Sequence, residues 1–202
     1  MTATTRPTAL VIHGGAGVIE RARLSAEQEL AIRADLDAAL DAGHTVLARA
    51  GSALDAVEAA VRVLEDSPRF NAGKGAVFDA EGRHELDASL MEGHSGRAGA
   101  VAGVTTVRNP ISLARAVMAH SPHVLLIGAG AEAFADTRDE IARVPNTWFD
   151  TEHRRDEWRQ AQAREGEEAG EDLKGKYFGT VGAVALDADG RIAAAIRPSA
   201  SS

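Results

Sequence analysis

The sequence predicts an α/β fold built on a layered sheet, and three observations carry that expectation. Short unbroken apolar runs, "ALVIH" at 9–13 and "HVLLIGAG" at 123–130, stop at glycines and read as strands buried on both faces. Long Ala- and Leu-rich stretches opening on capping residues lie between them and read as helices. Near the end, "GTVGAVALDADGRIAAAI" sets two apolar runs about Asp-Ala-Asp-Gly, a hairpin signal with Gly190 where positive φ is wanted.

The composition says how such layers must pack. Of the 202 residues, 45% are hydrophobic but only 4% aromatic, so alanine and glycine supply much of the apolar fraction. Close approach of backbones has to replace large rings. A net charge of -8 without a lysine or arginine cluster argues against nucleic acid as a partner. The absence of cysteine removes disulfides, thiolate nucleophiles and Cys-type zinc sites, and fits a reducing compartment. The five-residue apolar run near the start is too short for a signal sequence or a membrane span, so the expectation is a cytoplasmic protein with no membrane partner.

Taken in order, "ALVIH" is the first strand and a Gly-rich turn follows it. Residues 25–51 form a helix with Ser25 and Gln28 in capping-box spacing, expected to break around Gly43. Residues 52–66 form a second helix, with Ser52 as N-cap and Leu54, Val57, Val61 and Leu64 on one face, stopped by Pro68. "GAVFDAEGRHELDASLMEG" reads as two β-prone runs about an Ala-Glu-Gly turn, and "AGAVAGVTTV" adds a strand to complete a meander. A helix with Pro110 in its first turn, the strand in "HVLLIGAG" and a further helix through 131–144 follow. From Glu152 to Lys176 charges crowd and glycines recur, which reads as a linker or frayed helix. The closing hairpin spans 181–196.

A charged linker running straight into "GT" and a core strand draws attention to Thr180. Cleavage of the Gly179–Thr180 bond would give Thr180 a free α-amine of reference pKa ~7.7–8.0, able to take the proton of its own hydroxyl. One residue would then be nucleophile and base. On the local sequence alone, a threonine that merely starts a strand, where β-branching is favoured, is the plainer reading. A second motif, Gly128, Gly130 and Ala133 in G-x-G-x-x-A spacing with Asp150 about twenty residues on, resembles a dinucleotide-binding turn. "RVPNTWFD" contains a proline and no apolar run, so the second parallel strand that such a fold needs is missing.

"VIHGGAG", "GSALDAVEAAV", "FNAGKGAVF", "HELDASLMEG", "AGAVAGV", "NPISLARAVM", "SPHVLLIGAGAEAFA" and "GTVGAVALDADGRIAAA" occur in the order seen in plant-type L-asparaginases, or isoaspartyl peptidases, and the chain resembles that family over nearly its whole length. The resemblance implies a threonine N-terminal nucleophile hydrolase with a four-layer αββα sandwich, here incomplete on the β-subunit side. It implies self-cleavage into subunits, with Gly179 ending the α part (1–179), 152–179 its mobile tail, and Thr180, the nucleophile, opening the β part (180–202) of a single domain 1–202. It implies L-asparagine or β-aspartyl dipeptides as substrates, no organic cofactor, and a homodimer of αβ units. "LEDSPRFNAGKG" resembles the family's sodium loop, with Leu64, Glu65, Ser67, Phe70, Ala72 and Lys74 supplying main-chain carbonyls. Asn71 would lie near the nucleophile, and His13 and Asp87 would support the site or serve the fold alone. A glycosylasparaginase is the alternative, but "FNAGKGAVF" is the asparaginase form of that loop.

The resemblance ends at Ala195. Ile196 and Pro198 stand where the family has the threonines of "TSTGG", and "IRPSASS" resembles nothing in it. The groups expected to clamp the substrate and form the oxyanion hole lie beyond that point. The reading is of a chain truncated early in the β subunit, with an exposed or self-pairing sheet face, negligible asparagine hydrolysis and slow or absent self-cleavage. An inactive remnant acting as an assembly partner is the competing reading.

Overall fold

The computed structural model describes residues 6–15, 24–164 and 180–198. In chain order its elements are β1 (Ala9–His13), α1 (Ala26–Ala48), α2 (Ala53–Asp66), β2 (Leu86–Glu92), β3 (Ala98–Val104), α3 (Pro110–His120), β4 (Leu125–Ile127), α4 (Gly128–Ala135), α5 (Glu152–Arg164), β5 (Val181–Leu186) and β6 (Ile192–Arg197). The strands form one sheet in the order β1-β5-β6-β2-β3-β4. Every pairing is antiparallel except β3 with β4. The closing hairpin pairs as expected, from Val181 opposite Arg197 to Leu186 opposite Ile192, and it sits between β1 and β2. The last two strands of the chain therefore lie inside the sheet, and β1, the first, pairs with β5 at its edge.

Helices α1, α2 and α3 cover one face, with α2 across β5 and β6, α3 across β3 and β2, and α1 on α2 and β1. The strands alternate accordingly. Val181, Ala183, Ala185, Ala193, Ala195, Leu86, Ala88, Leu90 and Val101 are buried beneath the helices. Val11 (67% exposed), Met91 (48%), Val184 (48%), Ile192 (53%) and Ile196 (46%) point the other way. This corrects the reading of "ALVIH" and "HVLLIGAG" as doubly buried strands: β1 and β4 are the two sheet edges, and Val11, Leu125 and Ile127 lie more than half exposed. An apolar run without alternation does not say whether its second face is covered by this part of the chain.

Ser25 and Gln28 form the expected reciprocal cap, with Gln28 N–H donating to Ser25 Oγ at 3.1 Å and Ser25 N–H to Gln28 Oε1 at 2.9 Å. Helix α1 does not break at Gly43. A Cβ there would lie 2.6 Å from Leu10 Cδ2 and 2.9 Å from the Ala56 carbonyl oxygen, so the glycine lets α1 close on α2 and β1. Ser52 caps α2 through the Asp55 amide, and Leu54, Val57, Val61 and Leu64 are all buried.

Two other expectations are corrected. Residues 76–80 are not a strand: Val77 N–H donates to Asn71 Oδ1, and Asp79 closes a turn with Arg83 and Gly82, so the segment's backbone groups are taken locally. The helix predicted through 144 ends at Ala135, because Val144 N–H turns back to the Thr106 carbonyl and Arg108 N–H to that of Ala142.

One buried carboxylate ties the hairpin to the helical layer. Asp187 Oδ1 accepts the amides of Asp189 and Arg191, and Oδ2 accepts the Ala53 amide at the start of α2. Burial alone would raise its pKa; the amides of Arg191, Ala53 and Asp189 and the Arg191 charge outweigh it and hold the carboxyl below its ordinary range. A depressed native pKa means that this contribution is complete above about 3.8 and is lost as pH falls through the native value. Asp187→Ala is expected to cost about 1.5–3 kcal/mol in urea unfolding at neutral pH, and the loss should shrink as the pH is taken below the carboxylate range.

Candidate active site

The sheet's antiparallel register brings chemistry-bearing strand termini to one end of the sheet. His13 ends β1 opposite Gly182, so Thr180, which precedes β5, lies at the same end. Arg197 ends β6 opposite Val181, while Leu86 begins β2 opposite Val104. His13, Thr180, Arg197 and Asp87 therefore share one end of the sheet despite wide separation in sequence. His13 is exposed and Thr180 half-buried, and both line a concavity of about 600 Å³ over the open sheet face. Gly179 falls outside the described residues.

Asp87 and Asn71 have definite work in the backbone. Asp87 sits where the β2–β3 register shifts, and its Oδ1 accepts the Gly103 amide at 2.8 Å, holding the bulge that would otherwise leave that donor unpaired. Asn71 is buried; its Oδ1 accepts the Val77 amide at 3.0 Å, and its carbonyl accepts Arg197 Nη1 at 3.1 Å.

The loop after α2 turns on two glycines in the left-handed region, Gly73 at φ 58° and Gly75 at φ 89°. A Cβ on Gly73 would lie 2.3 Å from the Glu65 carbonyl oxygen, and one on Gly75 2.6 Å from that of Pro68 and 3.0 Å from that of Phe70. Carbonyls thus crowd around the turn. Leu64 and Ala72 are fully buried, Ser67 Oγ donates to Asp35 at 2.5 Å, Lys74 N–H donates to the Glu65 carbonyl, and the Lys74 ammonium stands over the Trp148 ring. Among the described residues no cluster of three His, Asp or Glu side chains is placed to hold a metal ion.

A family model described as asparaginase matches residues 6–197. The isoaspartyl peptidase of Escherichia coli (strain K12) is 49% identical over 191 residues, covering 92% of this chain and 59% of that protein. The plant-type L-asparaginase of Pyrococcus abyssi is 42% identical over 191 residues, covering 90% and 60%, and the mouse isoaspartyl peptidase/L-asparaginase 41% over 184 residues, covering 91% and 54%. The chain belongs to the asparaginase family. It spans less than two thirds of the length of these relatives.

Other features of this asparaginase-family chain could not be anticipated from spacing. Glu65, expected only as a carbonyl donor, buries its carboxyl completely and accepts the Ile111 amide at the start of α3 at 3.0 Å. Burial drives its pKa up to about 8 against the opposing charge of Arg197. Arg197 is itself fully buried, which lowers its pKa to about 10, with Glu65 and Asp87 working to keep it charged. His84 is likewise buried, between the Val77 carbonyl on Nδ1 and Asp150 Oδ1 on Nε2. Asp150, the acid of the dinucleotide-like spacing, is engaged there and with Arg155, although a strand and a helix do flank Gly128.

Gly73→Ala should cost at least about 1–3 kcal/mol from backbone strain alone, with the clash at the Glu65 carbonyl adding to it. Urea unfolding of Gly73→Ala beside Gly96→Ala, whose Cβ would meet nothing within 4 Å although its φ is 70°, separates clash from conformational strain.

Proposed function

We propose that this chain carries the nucleophile and α-side scaffold of an amidohydrolase that releases L-aspartate from L-asparagine or β-aspartyl dipeptides. The observation that carries the reading is the position of Thr180, at the head of β5 and on the sheet end shared with His13, Asp87 and the loop of Asn71. In this reading Thr180 Oγ first attacks the Gly179 carbonyl carbon. The peptide bond breaks as the Thr180 nitrogen takes the Oγ proton and becomes a free α-amine, and water then hydrolyses the resulting ester, freeing the Gly179 carboxylate and restoring the Oγ hydroxyl. That amine then takes the Oγ proton as Oγ attacks the substrate's side-chain amide. Ammonia or the peptide's amine leaves with a proton, and water cleaves the β-aspartyl ester. The open apolar face supports an αββα arrangement, since a second sheet packing on it would bury Val11, Val184, Ile192 and Ile196.

The Glu65, Pro68 and Phe70 carbonyl oxygens close to Gly73 and Gly75 suit a hard monovalent cation, and in this reading Leu64, Glu65, Ser67, Phe70, Ala72 and Lys74 would hold sodium by main-chain oxygens. Its part would be structural. Thermal unfolding should shift upward in sodium chloride relative to tetramethylammonium chloride at equal ionic strength; an equal midpoint in both salts removes the ion from the reading.

Intact mass and ammonia release from L-asparagine test the nucleophile, for the chain and Thr180→Ala, each alone and each co-produced with the part of the E. coli relative that this chain does not span. The co-produced chain should yield two fragments parting at Gly179–Thr180 together with ammonia, and Thr180→Ala neither. Cleavage or hydrolysis that survives Thr180→Ala overturns the assignment.

A further inference from the structure

Helix α5 opens the stretch between the body and Thr180, yet its first two turns are bound to the body by specific contacts. Arg154 Nε donates to the Gly75 carbonyl at 2.9 Å, and its Nη1 donates to Glu157 Oε2 at 2.7 Å. The Arg154 side chain is only 17% exposed. Gly75 N–H donates to the Phe149 carbonyl at 2.9 Å, so both main-chain groups of Gly75 are bound by residues 149–154. Trp158 packs beneath Gly82, where a Cβ would come within 2.9 Å of its ring, and stands 5.8 Å from Phe78 between centroids. On its other side, the same loop is held by Arg197 through the Asn71 carbonyl.

We propose that Arg154 is a positioning residue for the candidate site: by fixing the Gly75 carbonyl it sets the loop that carries Asn71, and so couples the docked start of α5 to the surroundings of Thr180. The guanidinium suits this task because its planar fork reaches a neutral carbonyl and a carboxylate at once, the Glu157 charge offsetting the burial of the cation. A lysine ammonium has the charge without the fork. The consequence for the site rests on the function proposed above; the consequence for the loop does not.

Hydrogen exchange of the full chain measures the loop directly. In Arg154→Ala the amides of Gly75 and Val77 should exchange about tenfold faster, while those of α2 and α3 keep their rates. Arg154→Lys should recover only part of the protection. Arg159→Ala, an exposed change on the same helix, should leave the loop at its original rates. Glu157→Gln, which weakens the fork without removing it, should accelerate the same amides to a smaller extent and decides the matter if Arg154→Ala does not fold. Unchanged loop protection in Arg154→Ala, or equal acceleration throughout the core, overturns the proposal. Where Thr180-dependent splitting is seen, Arg154→Ala should slow it about tenfold at an unchanged unfolding midpoint. If no form splits, the proposed chemistry fails while the exchange result still judges Arg154.

Discussion

The contact on which the arrangement depends is the carboxylate of Asp187. Three amides from two separate parts of the chain converge on it, two closing the β5–β6 turn and one at the first turn of α2. The α2 amide is one of the donors that every helix leaves without an intrahelical partner, and an ionised acceptor there also answers the positive end of the helix dipole. The hairpin that begins just after Thr180 is thereby locked to the helix that ends at the Gly73 loop. A rotation of one relative to the other would strand buried donors, so the distance between Thr180 and the Asn71 loop is set by a contact at the far end of the sheet.

What lies between those two ends is a packing problem solved with small residues. Ala183, Ala185, Ala193 and Ala195 face α2 across Ala53, Ala56 and Ala60, all buried. Each such side chain removes little surface from water, so the layer gains by bringing many atoms into close contact rather than by any single large burial. Gly43 extends the same rule to the crossing of α1 with α2. This part of the fold was legible in the sequence: an apolar fraction rich in alanine and glycine with few aromatics means close layers, and the capping residues Ser25 and Ser52 gave the helix starts correctly.

The misreadings have a common physical origin. Gly43 reads as a helix breaker when only propensity is considered, since the residue it approaches, Ala56, is distant in sequence. The run at 76–80 has strand-forming residues, but Asn71 and Asp79 take its hydrogen bonds first. "ALVIH" and "HVLLIGAG" carry the apolar signature of central strands, yet the register leaves them as edges. The site divides the same way. Thr180 stands out by a local signal, a threonine between a charged stretch and a core strand, whereas the contacts of Arg197, Glu65 and His84 reach partners 46 to 126 residues away. No periodicity announces a buried arginine.

Those distant partners share a purpose that the fold makes visible. Arg197 reaches the Asn71 carbonyl from the strand after Thr180, Phe149 and Arg154 reach Gly75 from the segment before it, and Asn71 itself closes the loop onto Val77. The loop is thus gripped from both chain directions that lead to Thr180. Its two glycines in the left-handed region give it a shape that few other residues could hold, and the grips on either side fix that shape without a large apolar core of its own. Because the grips are hydrogen bonds to main-chain groups, they tolerate side-chain variation within the loop but not displacement of either flank. In the proposed coupling, a change in how α5 docks reaches the loop through the Gly75 carbonyl, and Arg197, bound to the Asn71 carbonyl, links that loop to β6 in the alanine-packed layer.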